Sequence, residues 1–469
     1  MQTFTMPANE FDERNINKKI IKILIDKHIK ESGRFKELED YYEGKHKIKE
    51  DTSRENKLVC NHAKDIADTA SAYFIGSPIA YNSSEDLTEL IEAFEVAGTD
   101  EVDGDNGLDL AIYGRAYEYI YTKKDETDLI TKNLSPKNTF IVYDNTIEQN
   151  ELFAVYYFAS EDSTRQTRTK YIATILTEHY KWVVDIQDTN ETQLTTEMPE
   201  EHYKGEIPII EMLNNKLAIG DYELQIPLID AYNALMSDRI TDKEQFIDAI
   251  LALYGTLLSD EDDEIDEGGQ GDGKGSEGAY KQLGKKKVIE LPDGSKAEYL
   301  TRTFDETGIE ILKKAIEQDI HKFSHIPCLS DESFGGNISG VAMEFKLLGM
   351  ENITKIKTRY YKKGLKKRMR IFINWLNTKS HISLDVNGIA PTFTRALPKN
   401  LLEISQYVSN LWGKVSKKTL LSQIPFVDDI EAELEETNAE AEENIQRQRA
   451  MFGNEPNILP NNLKDNDDA

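Results

Sequence analysis

Three groupings of residues have types and spacings that could do chemistry. His321, His325 and Cys328 come first, because an i, i+4 pair puts two imidazoles on one helical face with a thiol beyond, as a zinc site needs. Only three ligands are visible. A helix end, where histidine complements the dipole and hydrogen-bonds the last carbonyls, accounts for them more simply. Cys60 and His62 form a weaker pair of the same kind. Second, Gly268, Gly273 and Lys274 nearly spell a phosphate-binding loop, but Gly275 stands where magnesium requires a hydroxyl. An acidic run precedes it instead of a strand, so a flexible loop is the better reading. Third, residues 344–370 hold ten Lys/Arg against two Glu. Such a helix could grip phosphates, or it could pair with acidic surfaces of its own chain or of another copy, and pairing is the favoured reading. Eight scattered histidines and no nucleophile elbow leave no hydrolase constellation. No catalytic, cofactor-binding or metal residue is assigned.

The chain that must position these groups has 469 residues, enough for two to four domains at roughly 100 to 200 residues each. With 39% apolar and 30% charged residues it can bury a core, but its surface must be very polar, which suits an elongated or assembled protein. The 56 Lys+Arg against 85 Asp+Glu give a net charge of -29, which opposes non-specific adhesion to DNA or anionic membrane. Cys60 and Cys328 cannot make a disulfide framework, and their scarcity suits a reducing compartment. No apolar run approaches a membrane span, and MQTFTMPANEF has no export signature, so a soluble cytoplasmic origin is expected.

Hydrophobic spacing predicts two short helices between Asn17 and Tyr42, broken at Ser32-Gly33, a helix over 61–74 ending before Pro78, and another over 85–97. Between 112 and 212 the runs AYEYIYT, TFIVYD, LFAVYYF, YIATILT and YKWVVDI predict a mostly antiparallel sheet region. A long helix is predicted from Pro227 to Tyr254, a rod of about 40 Å. Residues 259–279, with eight acids between Asp260 and Asp272 and many glycines, read as an exposed mobile loop. Short strands at VIEL and AEYL follow, and then a helix from Asp305 to Phe323 with a stripe of Ile309, Leu312, Ile316, Ile320 and Phe323. Another helix runs from Val341 to Asn377, where Gly349 and Gly364 invite bends, and its stripe of Leu348, Ile353, Ile356, Tyr360, Leu365, Met369, Phe372 and Leu376 reads as core. A hairpin turning at Asn387-Gly388, a helical region over 400–450 and a disordered tail complete an α+β chain.

Six collinear segments carry a resemblance: NHAKDIADTASAYFIGSPIAY (61–81), IYGRAYEYIY (112–121), GEIPIIEMLNN (205–215), IPLIDAYNALMSDRITDKEQFIDAILALYG (226–255), IPCLSDESFGGNISGVAMEFKLLGMEN (326–352) and LLSQIPFVDDIEAELE (420–435). In this order they resemble the portal proteins of tailed bacteriophages, of the type found in siphophages of Gram-positive hosts. The resemblance implies a portal-type fold: an N-terminal segment (1–24), a wing (25–225 and 343–399), two stem helices (226–255 and 304–328), a β-rich clip (256–303), a tunnel loop (329–342), a helical crown (400–450) and a tail (451–469). The acidic clip insertion departs from the family pattern.

The resemblance further implies a ring, commonly a dodecamer, at one capsid vertex of the virion, assembled in the host cytoplasm. Double-stranded DNA would pass through it during packaging and ejection. Terminase, the head-completion neck adaptor, the major capsid protein and scaffolding protein would be its partners, with no membrane, cofactor or enzymatic role. The DNA-facing residues would be Phe334, Gly335, Gly336, Asn337 and Ser339 on the tunnel loop, with Lys346 on the following helix. The rivals are a nucleic-acid-processing enzyme built on the basic helix with His321, His325 and Cys328, and a purely structural head or neck protein.

Overall fold

The computed structural model describes residues 4–160, 170–186, 198–247, 250–254, 296–300, 306–328, 340–380, 384–395 and 401–421, with scattered residues from 424 to 447. The acidic stretch 259–279, the VIEL strand, the loop 329–339 and the tail 451–469 lie outside the described residues. The chain divides into two compact units, one of residues 1–328 with 349–396 and one of residues 329–348 with 397–469.

The first unit is a stack of layers. Strand β1 (Phe4–Met6) precedes helix α1 (Lys18–Tyr42), which is capped by Asn17, whose side chain accepts from the Lys19 amide at 3.0 Å. The expected break at Ser32-Gly33 does not occur. Gly33 lies on the exposed side, and the buried face of Ile21, Leu24, Ile25, His28, Phe35, Leu38 and Tyr41 runs on both sides of it, outweighing a glycine cost of about 1 kcal/mol. Helix α2 (His62–Ile75) starts where predicted, with Asn61 capping Lys64 at 3.1 Å. Strand β2 (Ala80–Asn82) and helix α3 (Thr88–Ala97) follow.

Helix α4 (Thr99–Tyr113) escapes the sequence reading, because its buried face carries the polar Asp103 and Asn106 and the glycine Gly107. It stops at Gly114, whose φ of +77° favours glycine; an added Cβ would also stand 2.3 Å from the Ala218 carbonyl oxygen.

The strands then follow their period-2 pattern: β3 (Arg115–Thr122), β4 (Leu129–Leu134), β5 (Thr139–Asp144), β6 (Glu151–Ser160), β7 (Lys170–Leu176), β8 (Tyr180–Ile186), β9 (Glu200–Glu201) and β10 (Ile209–Leu213). They form a six-stranded sheet in the order β1-β5-β6-β7-β8-β9 and a three-stranded sheet in the order β10-β3-β4, antiparallel throughout except for the parallel β1-β5 pair. Alternate residues sort the core. Phe140, Val142, Phe153, Val155 and Trp182 pack with α1 on one face, while Ile141, Ala154 and Leu176 meet Tyr117, Leu134 and Ile209 of the smaller sheet on the other. The far face of the smaller sheet, Ala116, Ile120, Ile210 and Met212, receives the helical layer. Buried between α1 and the large sheet, His28 bonds to the Tyr157 hydroxyl at 2.8 Å, and burial lowers its imidazole pKa to about 4.

Helix α5 (Ile226–Ile247) is shorter than predicted: the apolar run after it is strand β11 (Ile250–Tyr254), paired antiparallel with β12 (Lys296–Leu300). A short apolar run satisfies both periods, and the partner strand decides it. Helix α6 (Glu306–Ser324) returns alongside α5, with Arg239 2.9 Å from Glu310 and Lys243 2.8 Å from Glu306. This register is antiparallel, and the β11-β12 ladder continues it. Helix α7 (Gly340–Ser380) is one continuous element, and Gly364 lets it approach the sheet, since a Cβ there would lie 2.8 Å from Met212 Cγ. Of its predicted core stripe, Leu365, Met369, Phe372 and Leu376 are buried, but Leu348 and Ile356 are about half exposed; Tyr361 and Arg368 take inward places. Beyond Asn387-Gly388, strand β13 (Ala390–Thr392) pairs antiparallel with β2, while residues 381–383 of the expected hairpin lie outside the described residues. In the second unit, helices α8 (Leu401–Leu411) and α9 (Lys417–Leu421) flank a turn at Gly413.

Candidate functional site

The chemistry-bearing residues sort into three places. His321 is buried at the end of α6, its Nδ1 3.0 Å from the Ile326 carbonyl oxygen, which is the helix-end role. His325 is exposed with φ +59°, and among the described residues no group of three or more His, Cys, Asp or Glu is arranged to hold a metal. The structure instead sets His321 edge-on to His62, ring centroids 5.8 Å apart, and burial together with His321 lowers the His62 imidazole pKa. One histidine from each of two weak sequence groupings thus meets the other at a helix junction without making a ligand set. The near phosphate-binding loop and Phe334, Gly335, Gly336, Asn337 and Ser339 lie outside the described residues; Lys346 is exposed on the first turns of α7.

The basic helix is where the structure is most informative. Its cations divide between the protein interior and the surface. Arg368 is fully buried and donates from Nε and Nη2 to the Glu118 carboxylate at 2.8 and 2.6 Å, and from Nη1 and Nη2 to Asp103 at 2.9 and 2.6 Å. Glu118 is there because the alternation of β3 turns it toward the helices, between Ala116 and Ile120. Burial pushes its carboxyl up, and Arg368 pulls it back. Asp103 comes from α4, so one guanidinium ties helix α7 to a strand and to a second helix.

Lys357 adds a buried pair with Asp221 at 2.6 Å, while Lys367 donates to the Ile209 carbonyl at 2.8 Å and pairs with Glu151. Nearby, Tyr117 and Tyr143 both donate to Glu211 at 2.8 Å, with Arg115 3.3 Å away. Arg370 bonds to Glu206 at 3.0 Å, and Lys355 lies 3.6 Å from Glu351. Arg359, Lys363 and Lys366 are exposed and have no carboxylate partner among the described residues. Intra-chain pairing therefore claims the inner half of the helix, and a short outer row remains.

A second surface lies on α6. Ile311 is 65%, Leu312 50% and Phe323 55% exposed, whereas Ile320 alone of the predicted stripe is fully buried. Such a row on one helix has no cover among the described residues. No described helix is long and apolar enough to cross a membrane. Among the described residues the arrangement is that of a scaffold with exposed faces.

Comparison with known proteins gives that scaffold a family. The family model described as phage portal protein, SPP1 Gp6-like, matches residues 21–447. The portal protein of Bacillus phage SPP1 is 23% identical over 419 residues, covering 86% of this chain and 79% of its own. A portal protein of the Clostridium phage phiCD119 is 24% identical over 319 residues, 62% of each chain. Among solved structures, the neck of a native gene transfer agent particle with C12 symmetry aligns with a TM-score of 0.44 at 10% identity, over 77% of this chain and 89% of that one. The six collinear segments read from the sequence all fall inside or across the matched span, and the chain belongs to the phage portal protein family of the SPP1 Gp6-like type.

Proposed function

We propose that copies of this chain associate head to tail into a closed ring that acts as the portal at one capsid vertex of a tailed phage. Double-stranded DNA passes through the ring during packaging and ejection. Terminase supplies the chemical energy by docking on it, and the neck adaptor replaces terminase later; capsid and scaffolding proteins surround it. The chain itself performs no catalysis in this reading. Helices α5 and α6 form the stem, and the segment holding Phe334 to Ser339 faces the channel with Lys346 behind it.

The family membership supports this reading, and the single geometric observation that carries it is the uncovered row Ile311, Leu312 and Phe323 on α6. A head-to-tail contact that closes generates a ring, and apolar rows on a paired helix supply such a contact. The excess of acids also fits a conduit, since a wall that binds phosphate weakly lets DNA slide. The test is negative-stain imaging with native mass measurement of the wild type and of Leu312→Glu/Phe323→Glu. Rings with an axial channel from the wild type and monomers from the variant are expected. A wild type that stays monomeric at micromolar concentration would sink the proposal.

A further inference from the structure

Copies of a chain with a net charge of -29 repel one another, so any contact between two of them gains from a cationic surface on one side. Helix α7 carries one. Along its solvent side stand Arg359, Lys363 and Lys366, all exposed and without a carboxylate partner among the described residues, beside Ile356, which is 44% exposed. The same unit holds a surface of opposite character, a cleft of about 440 Å³ between α3 and the C-terminal half of α7. Its floor is apolar, with Ala93, Phe372 and Leu376, and its rim carries Glu89, Glu92 and the exposed Val96. Neither rim glutamate has a cation partner among the described residues. Lys379, the one cation lining the cleft among the described residues, is taken by Asp128 at 2.8 Å.

The two surfaces fit in size as well as in charge. From Arg359 to Lys366 and from Glu89 to Val96 the helices each rise about 10 Å at 1.5 Å per residue. An exposed isoleucine among cations meets an apolar floor with an acidic rim. The surfaces share no residue, which a head-to-tail contact requires and a two-fold one does not.

We infer that the Arg359–Lys366 face of one copy docks into the Glu89–Val96 cleft of a second copy of this chain. The inference rests on the ring reading and assigns it a specific contact. Charge across that contact steers neighbouring copies into one register, while the α6 row supplies the apolar burial. Duplex DNA is the competing occupant of the cationic face, but it gives the acidic cleft no role.

The experiment is a charge swap in the full chain. Lys363→Glu/Lys366→Glu and Glu89→Lys/Glu92→Lys should each lower the assembled fraction about tenfold at roughly 150 mM salt. Their melting curves should stay near the wild type, because these side chains make no ion pair among the described residues. All four substitutions together restore the opposite charges and should return assembly to within about twofold of the wild type. Double variants that assemble normally, or a quadruple variant that does not recover, would overturn the interface while leaving the ring reading standing. So would a Lys363→Glu/Lys366→Glu protein that assembles normally but no longer retains a fluorescent duplex of about 30 base pairs, since the face would then read DNA. Wild-type protein that never forms rings would overturn both.

Discussion

The ion pairs of Arg368 and of Arg239 use the same guanidinium and carboxylate groups in two regions with opposite consequences. Around Arg368 the side chains of Arg368, Glu118 and Asp103 are 0%, 0% and 4% exposed, and each of the three guanidinium nitrogens donates to a carboxylate. Around Arg239 the glutamates at 306 and 310 are 56% and 36% exposed, and Glu306 is shared with Lys243. Buried charges have lost their water, so their mutual geometry is the only compensation and admits one arrangement. Exposed charges keep their water and exchange partners cheaply. The first set locks helix to sheet, and the second merely biases two helices toward one register.

The sharpest way to break this contrast is Arg368→Met. It strands Glu118 and Asp103 without a counter-charge, and a loss of about 3–5 kcal/mol is expected in chemical unfolding. A midpoint equal to the wild type would place the cluster with the surface pairs. Adding Glu118→Gln and Asp103→Asn to that variant should recover part of the loss, because the uncompensated charges go with it.

Next in size is a pH effect at Asp109, whose carboxyl burial raises to about 7 against the hydrogen bond from Asn133. Its folded pKa lies above the unfolded value, so the folded chain holds the extra proton between about pH 4 and 7. This group's contribution is complete below that window and is lost as pH rises through it. Asp109→Asn should therefore gain in melting temperature relative to the wild type on going from pH 5 to pH 8. A constant difference across that range would contradict the assignment.

The smallest effect belongs to Arg239→Gln. It removes both exposed pairs, and a change of about 1 kcal/mol or less is expected, shrinking further in high salt. A salt-independent loss of several kcal/mol would erase the distinction between the two regions.

What could be read from the sequence follows the same physics. The strands of the large sheet were legible because Phe153, Val155 and Tyr157 alternate with residues of the opposite face, a signal contained within a few positions. Helix α4 was not, because Asp103 looks like a surface residue until Arg368 arrives from far along the chain. The charge of α7 was plain, but which of its cations turn inward depends on Glu118, Asp221 and Glu151, which no local pattern connects to it. The uncovered row on α6 was half legible: its spacing announced an apolar face, and only the fold shows that the described residues leave Ile311, Leu312 and Phe323 bare.

The antiparallel path through α5, β11, β12 and α6 has a mechanical consequence. Sliding α5 past α6 by one turn, about 5.4 Å, would break the wet ion pairs of Arg239 and Lys243, worth about 1 kcal/mol each or less. Sliding the ladder from Ile250 with Leu300 to Tyr254 with Lys296 by a single residue breaks its backbone pairing and turns every side chain to the other face. By these pairings alone, the ion pairs between the helices would yield to a thrust along this hairpin before the ladder beyond them lost its register: a compliant link ending in a clamp.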